Sequence, residues 1–424
     1  MAPYRILVVD DSPFMRKIFS DLILQDSQFM IVATASNGVE AIEAISKWKP
    51  DAVTLDLEMP EMNGIDALQH IMKHDPTPII MLSGISEENT RETIKALQYG
   101  AFDFIRKPSS AVSNDITQVG ELLIEKLKIA VLMKRYAPAI EIDESIKSLP
   151  ASPTQLEKSK NLNRQQGDSL PKKNAPETVG SDNLEIRKQL ERLPKRKTST
   201  PLHTNRTPVT PLSENIVKKE EKKEKALTGN KDFRHIIAIG TSTGGPRALH
   251  EVISSLPAGL PAPVMVVQHM PPKFTKSLAQ RLDNFSPLKV VEATQGERLY
   301  AGVVYIAPGG YHMEIAKDNQ GFHIQLTQQP PRNGHRPSVD VLFESLTPFK
   351  ELKRHAVIMT GMGSDGAKGM KALVESGVES TIAESEETCI VYGMPRSAVE
   401  NGSVTTVLPL QRIASQLQYV VSQI

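Results

Sequence analysis

Ile236-Ile237-Ala238-Ile239-Gly240-Thr241-Ser242-Thr243-Gly244-Gly245-Pro246 is the stretch from which a fold can be read. Its four apolar residues, three of them β-branched, predict a short strand buried on both faces. A Gly-rich turn follows, and then Arg247–Ile253, whose apolar spacing suits a helix. Within the turn, Gly240-Thr241-Ser242-Thr243-Gly244 matches G-x-S-x-G. A strand–turn–helix bend of this kind exposes a serine hydroxyl and aims the next backbone N–H where an oxyanion would form. A dinucleotide loop would need a second glycine that is missing, and a P-loop would need G-K-[ST], which is absent. A plain structural turn stays open on this motif alone.

Working outward, 424 residues predict two or three domains. Fifty basic residues against 49 acidic ones leave a net charge of +1, which gives no bulk attraction to nucleic acid or membrane. The one cysteine, Cys389, excludes an internal disulfide framework and fits a reducing compartment. The apolar run Ile6–Val9 is too short for a signal peptide, and nothing approaches the ~20 residues of a membrane span. A cytoplasmic protein is expected.

Over residues 1–135 strand and helix patterns alternate. Strands are predicted at Arg5–Val9, Met30–Thr34, Asp51–Leu55, Pro78–Leu82 and Phe102–Ile105. Helices are predicted at Val39–Trp48, Glu87–Tyr99 and Ile116–Tyr136, among others. Such alternation argues for a doubly wound parallel sheet, with ligands at the carboxyl ends of its strands. Asp10 and Asp11 end the first strand and Asp56 the third; Ser83 follows the fourth and Lys107 the fifth. Three carboxylates this close repel one another unless a cation joins them, and oxygen ligands favour Mg²⁺. Phosphate on Asp56 would use every member: Asp56 as nucleophile, Mg²⁺ to offset charge, Lys107 and Ser83 to hold the oxygens.

The motifs Val8-Val9-Asp10-Asp11-Ser12, Leu55-Asp56-Leu57-Glu58-Met59-Pro60 with Asn63-Gly64, Ser83, and Lys107-Pro108 resemble a response-regulator receiver domain. That resemblance implies a flavodoxin-like five-stranded sheet and phosphorylation of Asp56 by a histidine kinase. It also implies Mg²⁺ held by Asp11, Asp56 and the Glu58 backbone carbonyl, with Asp10 close by. Phe104 matches the aromatic switch position of that family.

Between Tyr136 and Phe233 no aromatic residue other than histidine occurs, and prolines recur. Such a stretch cannot bury enough apolar area to offset its ordering entropy, so 136–231 reads as a long flexible linker. It holds one candidate amphipathic helix at Leu184–Leu193, and a mixed-charge run at 218–225 that reads as solvated.

From 232 to 424 the α/β rhythm returns. Strands are predicted at Ile236–Ile239, Val264–Gln268, Val303–Ile306 and Ala356–Thr360, with helices after the first and last. His269 and Asp365 stand just past strand ends, so Ser242, His269 and Asp365 could share one crevice. That set suits nucleophilic acyl transfer, with His269 as base and Asp365 as its orienting carboxylate. Asp340 and His335 are rival acid and base candidates, His250 and His312 weaker ones, and Cys389 reads as core.

The chain order Ser…His…Asp disfavours an α/β-hydrolase, which would run Ser…acid…His. Instead Ile239–Gly245, Gln268-His269-Met270-Pro271-Pro272, Tyr305–Gly309, His335–Asp340, Thr360–Gly366 and Gly393-Met394-Pro395 resemble the catalytic domain of chemotaxis protein-glutamate methylesterases, the CheB family. A receiver followed by that domain is the family's architecture, and the resemblance covers 1–135 and 232–424. It implies the triad Ser242, His269, Asp365, with oxyanion donors at the backbone N–H groups of Thr243 and Met362. Thr241 stands where the family commonly has Ala, and Ser364 where it commonly has Asn.

The expectation is a phosphorylation-activated serine hydrolase that demethylates glutamyl methyl esters on chemoreceptors and deamidates their glutamines. Its partners would be the chemoreceptors and a chemotaxis histidine kinase, with no nucleic acid and no membrane insertion. Mg²⁺ would serve the receiver and no cofactor the hydrolase site. The alternatives are a phospho-regulated binding module with an inactive second domain, or a hydrolase of a different ester or amide.

Overall fold

The computed structural model describes residues 2–108, 113–136 and 232–423. Apart from Tyr136, the expected linker over 136–231, with its candidate helix at Leu184–Leu193 and the run at 218–225, lies outside the described residues.

In the first half, β1 (Tyr4–Val9), β2 (Phe29–Ala35), β3 (Ala52–Asp56), β4 (Ile79–Ser83) and β5 (Asp103–Arg106) alternate with α1 (Pro13–Leu24), α2 (Gly38–Trp48), α3 (Gly64–His74), α4 (Glu87–Gln98) and α5 (Ser113–Tyr136). The strands form one parallel sheet in the order β2-β1-β3-β4-β5. Ile6, Leu7, Val8 and Val9 have no exposed surface, as a strand covered on both faces requires. Short polar residues start the helices. Ser12, Asn37, Asn63 and Ser86 each accept the backbone N–H three residues on, which satisfies a donor that the first helical turn leaves unpaired. These caps end each excursion from a strand and keep the loops at its carboxyl end short.

The second half holds β6 (His235–Thr241), α6 (Gly245–Ser255), β7 (Val264–Gln268), α7 (Phe274–Phe285), β8 (Lys289–Glu292), β9 (Val303–Ile306), β10 (His312–Asp318) and β11 (Gly321–Thr327). It continues with α8 (Val339–Ser345), β12 (Lys353–Ile358), α9 (Ala367–Glu375), β13 (Ser380–Glu384), α10 (Met394–Glu400), β14 (Thr406–Leu408) and α11 (Leu410–Ser422). Seven strands form a parallel sheet in the order β14-β13-β12-β6-β7-β9-β8, and β10 and β11 pair as a separate antiparallel hairpin. From β6 the chain first builds outward through β7, then returns to β6's other side with β12. The winding therefore reverses between β6 and β12, where such sheets open a crevice at their carboxyl ends.

Three expectations change. The strand expected at Ala356–Thr360 runs instead over Lys353–Ile358. Its first half is Lys353-Arg354-His355, polar residues that an apolar pattern overlooks, and the last two are buried. Arg354 is 2% exposed because its guanidinium donates to the carbonyls of Thr347, Ser376 and Gly377. Cys389, read as core, is half-buried, near the carbonyl of Glu384. Helices also follow more strands than the two expected.

No helix among the described residues is long and apolar enough to cross a membrane. Both sheets and their helices belong to one compact unit.

Candidate active site and phosphorylation site

Ser242 follows β6, His269 follows β7 and Asp365 lies seven positions past β12, so the three loops meet at the reversal point of the larger sheet. His269 Nε2 lies 2.8 Å from Asp365 Oδ2. Both side chains are buried. Ser242, 8% exposed, lines the same cavity of about 690 Å³. His269 Nδ1 is buried with no hydrogen-bond partner among the described residues.

Asp365 sits in a dense set of donors. It accepts from Ser338 Oγ (2.8 Å), Asn333 Nδ2 (3.1 Å) and the backbone N–H groups of Val339 (2.7 Å) and Asp340 (3.3 Å), besides His269. Burial works against its charge, but the bond and charge of His269, with the Val339 and Ser338 donors, outweigh it. They hold the carboxyl well below the usual carboxylate range. Asp365 is therefore a fixed anion at neutral pH.

The Ser242 turn is fixed from both neighbouring strands. Thr241 Oγ1 donates to Gln268 Oε1 (2.7 Å), and Gln268 Nε2 donates to the Ser242 carbonyl (2.8 Å). Ser242 N–H donates to the Thr360 carbonyl (3.0 Å), and Thr360 Oγ1 donates to the Thr243 carbonyl (2.9 Å). Thr241, a departure from the family pattern, thus has a local job in orienting Gln268. Gly244 caps α6 at φ 80°, a left-handed conformation that glycine adopts without strain. A Cβ on Gly361 would lie 2.8 Å from Ser242 Cβ and 2.3 Å from Met394 Sδ, so only glycine lets these loops approach. The backbone N–H groups of Thr243 and Met362 have no hydrogen-bond partner among the described residues. Thr243 Oγ1 lies 3.4 Å from Met362 Sδ, which brings the two loops carrying those donors together.

The rival acid and base are placed elsewhere in the network. Asp340 accepts from Gly366 N–H (2.9 Å), Gly369 N–H (2.7 Å) and Asn333 Nδ2 (2.9 Å), and so holds the start of α9. His335 stacks on His269, with ring centroids 3.7 Å apart and planes 10° from parallel. His250 packs edge-on against Phe285, and His312 lies 3.1 Å from the Pro330 carbonyl. Ser364 is exposed beside Asp365. Gln268, Asn333, Ser338 and Thr360 carry no functional signal of their own in the sequence. Their polar atoms become significant only once loops distant in the chain converge.

On the smaller sheet, Asp10, Asp11 and Asp56 offer carboxylate oxygens within 4.8 Å of one another. Lys107 Nζ bridges Asp10 Oδ2 (2.7 Å) and Asp56 Oδ2 (2.8 Å). Burial pushes the Asp56 carboxyl up to about 6, against the pull of Lys107 and with help from Asp10. Burial also opposes the charge of Lys107, but the two carboxylates outweigh it and raise its pKa. This hard-oxygen cluster fits a divalent cation such as Mg²⁺. Glu58 lies two residues past Asp56 with its side chain exposed. Ser83 Oγ donates to the Gly84 carbonyl (3.0 Å) and accepts from Thr93 Oγ1 (2.6 Å).

The two halves touch at the cleft. Phe104 stacks on Phe274 with centroids 4.6 Å apart. Asp103, next to it on β5, accepts from Thr243 Oγ1 at 2.6 Å and pairs with Lys126 of α5. Further along, Thr90 and Ser277 share a hydrogen bond of 2.7 Å, and Arg281 donates twice to Gln98 Oε1 (2.8 and 2.6 Å). Phe104, Arg106, Glu125 and Lys126 line the same cavity as Ser242 and His269, so β5 and α5 form one wall of it.

Comparison with known proteins agrees with both halves. Residues 237–417 match the CheB methylesterase family model, and residues 6–116 match the response regulator receiver domain model. A protein-glutamate methylesterase/protein-glutamine glutaminase of Geobacillus kaustophilus is 39% identical over 423 residues, covering 100% of both chains. The protein of that name from Bacillus subtilis is 39% identical over 414 residues, covering 97% of each. The crystal structure of the Thermotoga maritima CheB methylesterase catalytic domain is 46% identical, covering 44% of this chain and 98% of that one, with a TM-score of 0.43. With full-length likeness at this level, and both domain models in the expected order, the chain belongs to the CheB family of receiver-linked protein-glutamate methylesterases/protein-glutamine glutaminases.

Proposed function

We propose that this chain is a cytoplasmic, phosphorylation-activated serine hydrolase that removes methyl groups from glutamyl methyl esters on chemoreceptors and converts receptor glutamines to glutamate. The observation that carries the reading is the buried His269–Asp365 bond beside Ser242 at the reversal point of the sheet. A carboxylate held ionised accepts the Nε2 proton and so leaves Nδ1 of the neutral ring as the base. That nitrogen is the one without a partner.

In this mechanism Nδ1 takes the Ser242 hydroxyl proton as Oγ attacks the ester carbonyl. The oxyanion is held by the Thr243 and Met362 N–H groups, backbone dipoles of the kind that stabilise such charge at little reorganisation cost. The imidazolium, stabilised by Asp365, returns its proton to the departing methoxide, and methanol leaves. Water then repeats the sequence on the acyl-enzyme and frees glutamate and Ser242. A glutamine side chain follows the same course with ammonia as leaving group.

The receiver regulates access. Asp56 is the phosphoryl acceptor; Asp11, Asp56 and the Glu58 carbonyl would hold Mg²⁺, which offsets the charge of the phosphoryl oxygens. Lys107, which now bridges Asp10 and Asp56, and Ser83 would contact the phosphoryl oxygens. The contacts of β5, α4 and α5 with the hydrolase half support a closed unphosphorylated state in which the cleft is walled off from a receptor helix. A chemotaxis histidine kinase is the natural phosphodonor.

Methanol release from methylated receptor, with and without a small-molecule phosphodonor, tests the reading. Release should depend on Ser242 and rise with the phosphodonor. No release under either condition would leave a phosphate-binding module without this activity.

A further inference from the structure

We infer that His335 is a positioning residue for the hydrolase reaction, its ring plane holding the His269 imidazole in the orientation that serves both Asp365 and Ser242. The inference rests on the hydrolase reading above. Its basis is the parallel stack of the two rings, 3.7 Å between centroids and 10° between planes. One hydrogen bond, from Nε2 to Asp365, fixes one edge of the His269 ring but leaves it free to roll about that bond. A flat neighbour against its face removes that freedom.

The loop that carries His335 is itself clamped. Arg332 and His335 exchange backbone hydrogen bonds of 3.0 and 2.9 Å around Asn333 and Gly334, both at positive φ. Arg332 binds Glu344 of α8 through both Nη atoms, at 2.5 and 2.6 Å. Asn333 Nδ2 donates to Asp340 and to Asp365. One short turn thus delivers an amide to the orienting carboxylate and a ring to the base, so the two are set together.

The charge of His335 suits this role and not that of a second base. Burial first, then the neighbouring His269, push its pKa down to about 4. At neutral pH it presents an uncharged π face to a ring that becomes cationic during turnover, which is an attractive arrangement. It has no bond to Ser242 or Asp365 among the described residues.

The test uses the full chain at saturating phosphodonor, with two readouts. One is methanol release from methylated receptor. The other is the rate at which a fluorophosphonate labels Ser242. In that labelling the Oγ–P bond forms, fluoride leaves and His269 takes the proton. His335→Ala should lower kcat and the labelling rate about 10- to 100-fold, the scale expected for a misplaced catalytic group, with KM changed less than threefold. His335→Phe, a flat ring with no proton chemistry, should recover both rates to within about fivefold of wild type. His335→Gln, which keeps polarity but not the plane, should not. If Gln rescues and Phe does not, or if Ala matches wild type, the inference is overturned. Should Ala fail to fold, the Phe-against-Gln comparison decides alone. If wild type neither releases methanol nor labels at Ser242, the hydrolase reading itself fails, whatever the variants do.

Discussion

Thr243→Val removes one hydroxyl and little else. In the closed arrangement that hydroxyl donates to Asp103 Oδ2 at 2.6 Å across the contact between the two halves. Asp103 keeps its other partners, Lys126 and the Phe104 N–H, so the receiver itself is not left with a bare buried charge. Valine has nearly the shape of threonine, and the Thr243 backbone N–H, the proposed oxyanion donor, is untouched. A hydrogen bond from a neutral donor to a buried carboxylate contributes about 1.5–3 kcal/mol. Losing it should shift the open–closed equilibrium by about 10- to 150-fold toward open. The assay is methanol release by the full chain with and without a phosphodonor. The unphosphorylated rate should climb, by up to that factor where closure dominates. The phosphorylated rate, taken from the open state, should stay within about twofold of wild type, so the activation ratio collapses. An unchanged basal rate would refute the latch, and a parallel fall in both rates would show that the hydroxyl serves chemistry instead.

Asp365→Asn should cut kcat by about 10³- to 10⁴-fold at saturating phosphodonor, because the amide no longer holds the His269 tautomer; a loss under tenfold would move the orienting role elsewhere. Asp56→Asn should keep the basal rate and lose all response to phosphodonor; stimulation equal to wild type would contradict the gating. Acid stability should trace to the buried histidine pair on β6 and β12, where His235 Nδ1 lies 3.0 Å from His355 Nε2 and the rings stack. Burial holds the His355 pKa down to about 3, so its contribution is complete above the unfolded value of about 6.5 and lost as pH falls toward 3. Between pH 6.5 and 4.5 that is roughly 2–3 kcal/mol. His355→Gln, which keeps hydrogen-bonding capacity without a proton to gain, should show a smaller drop in Tm from pH 7.5 to 4.5 than wild type, and an equal drop would locate the acid sensitivity elsewhere.

The parts legible in sequence share a physical cause. Strands buried on both faces write themselves as apolar runs, so Val264–Gln268 and Val303–Ile306 appear at their expected bounds. The strand-end rule then locates Ser242 and His269 directly, and Asp365 through the loop after β12. Edge strands carry no such run. Lys289–Glu292 and Thr406–Leu408 are only partly buried. The inner strand Ser380–Glu384 instead ends on a fully buried Glu384 that donors from Thr360 and Thr388 make tolerable. The hairpin of β10 and β11 buries apolar residues only at alternate positions, such as Met313, Ile315 and Ile324, so it carries no continuous apolar run. Within the site, Asn333 and Ser338 act by tertiary contact alone. Asp103 reads as an ordinary strand residue until Thr243, 140 positions away, is seen to bond it.

The most direct measurement is methanol release from methylated receptor by the phosphorylated full chain and by its Ser242→Ala variant. Wild type should release methanol at a rate that rises with phosphodonor, and the alanine variant should lose nearly all of it. A variant that retains near-normal release would contradict the account at its centre, because the nucleophile would then not be Ser242.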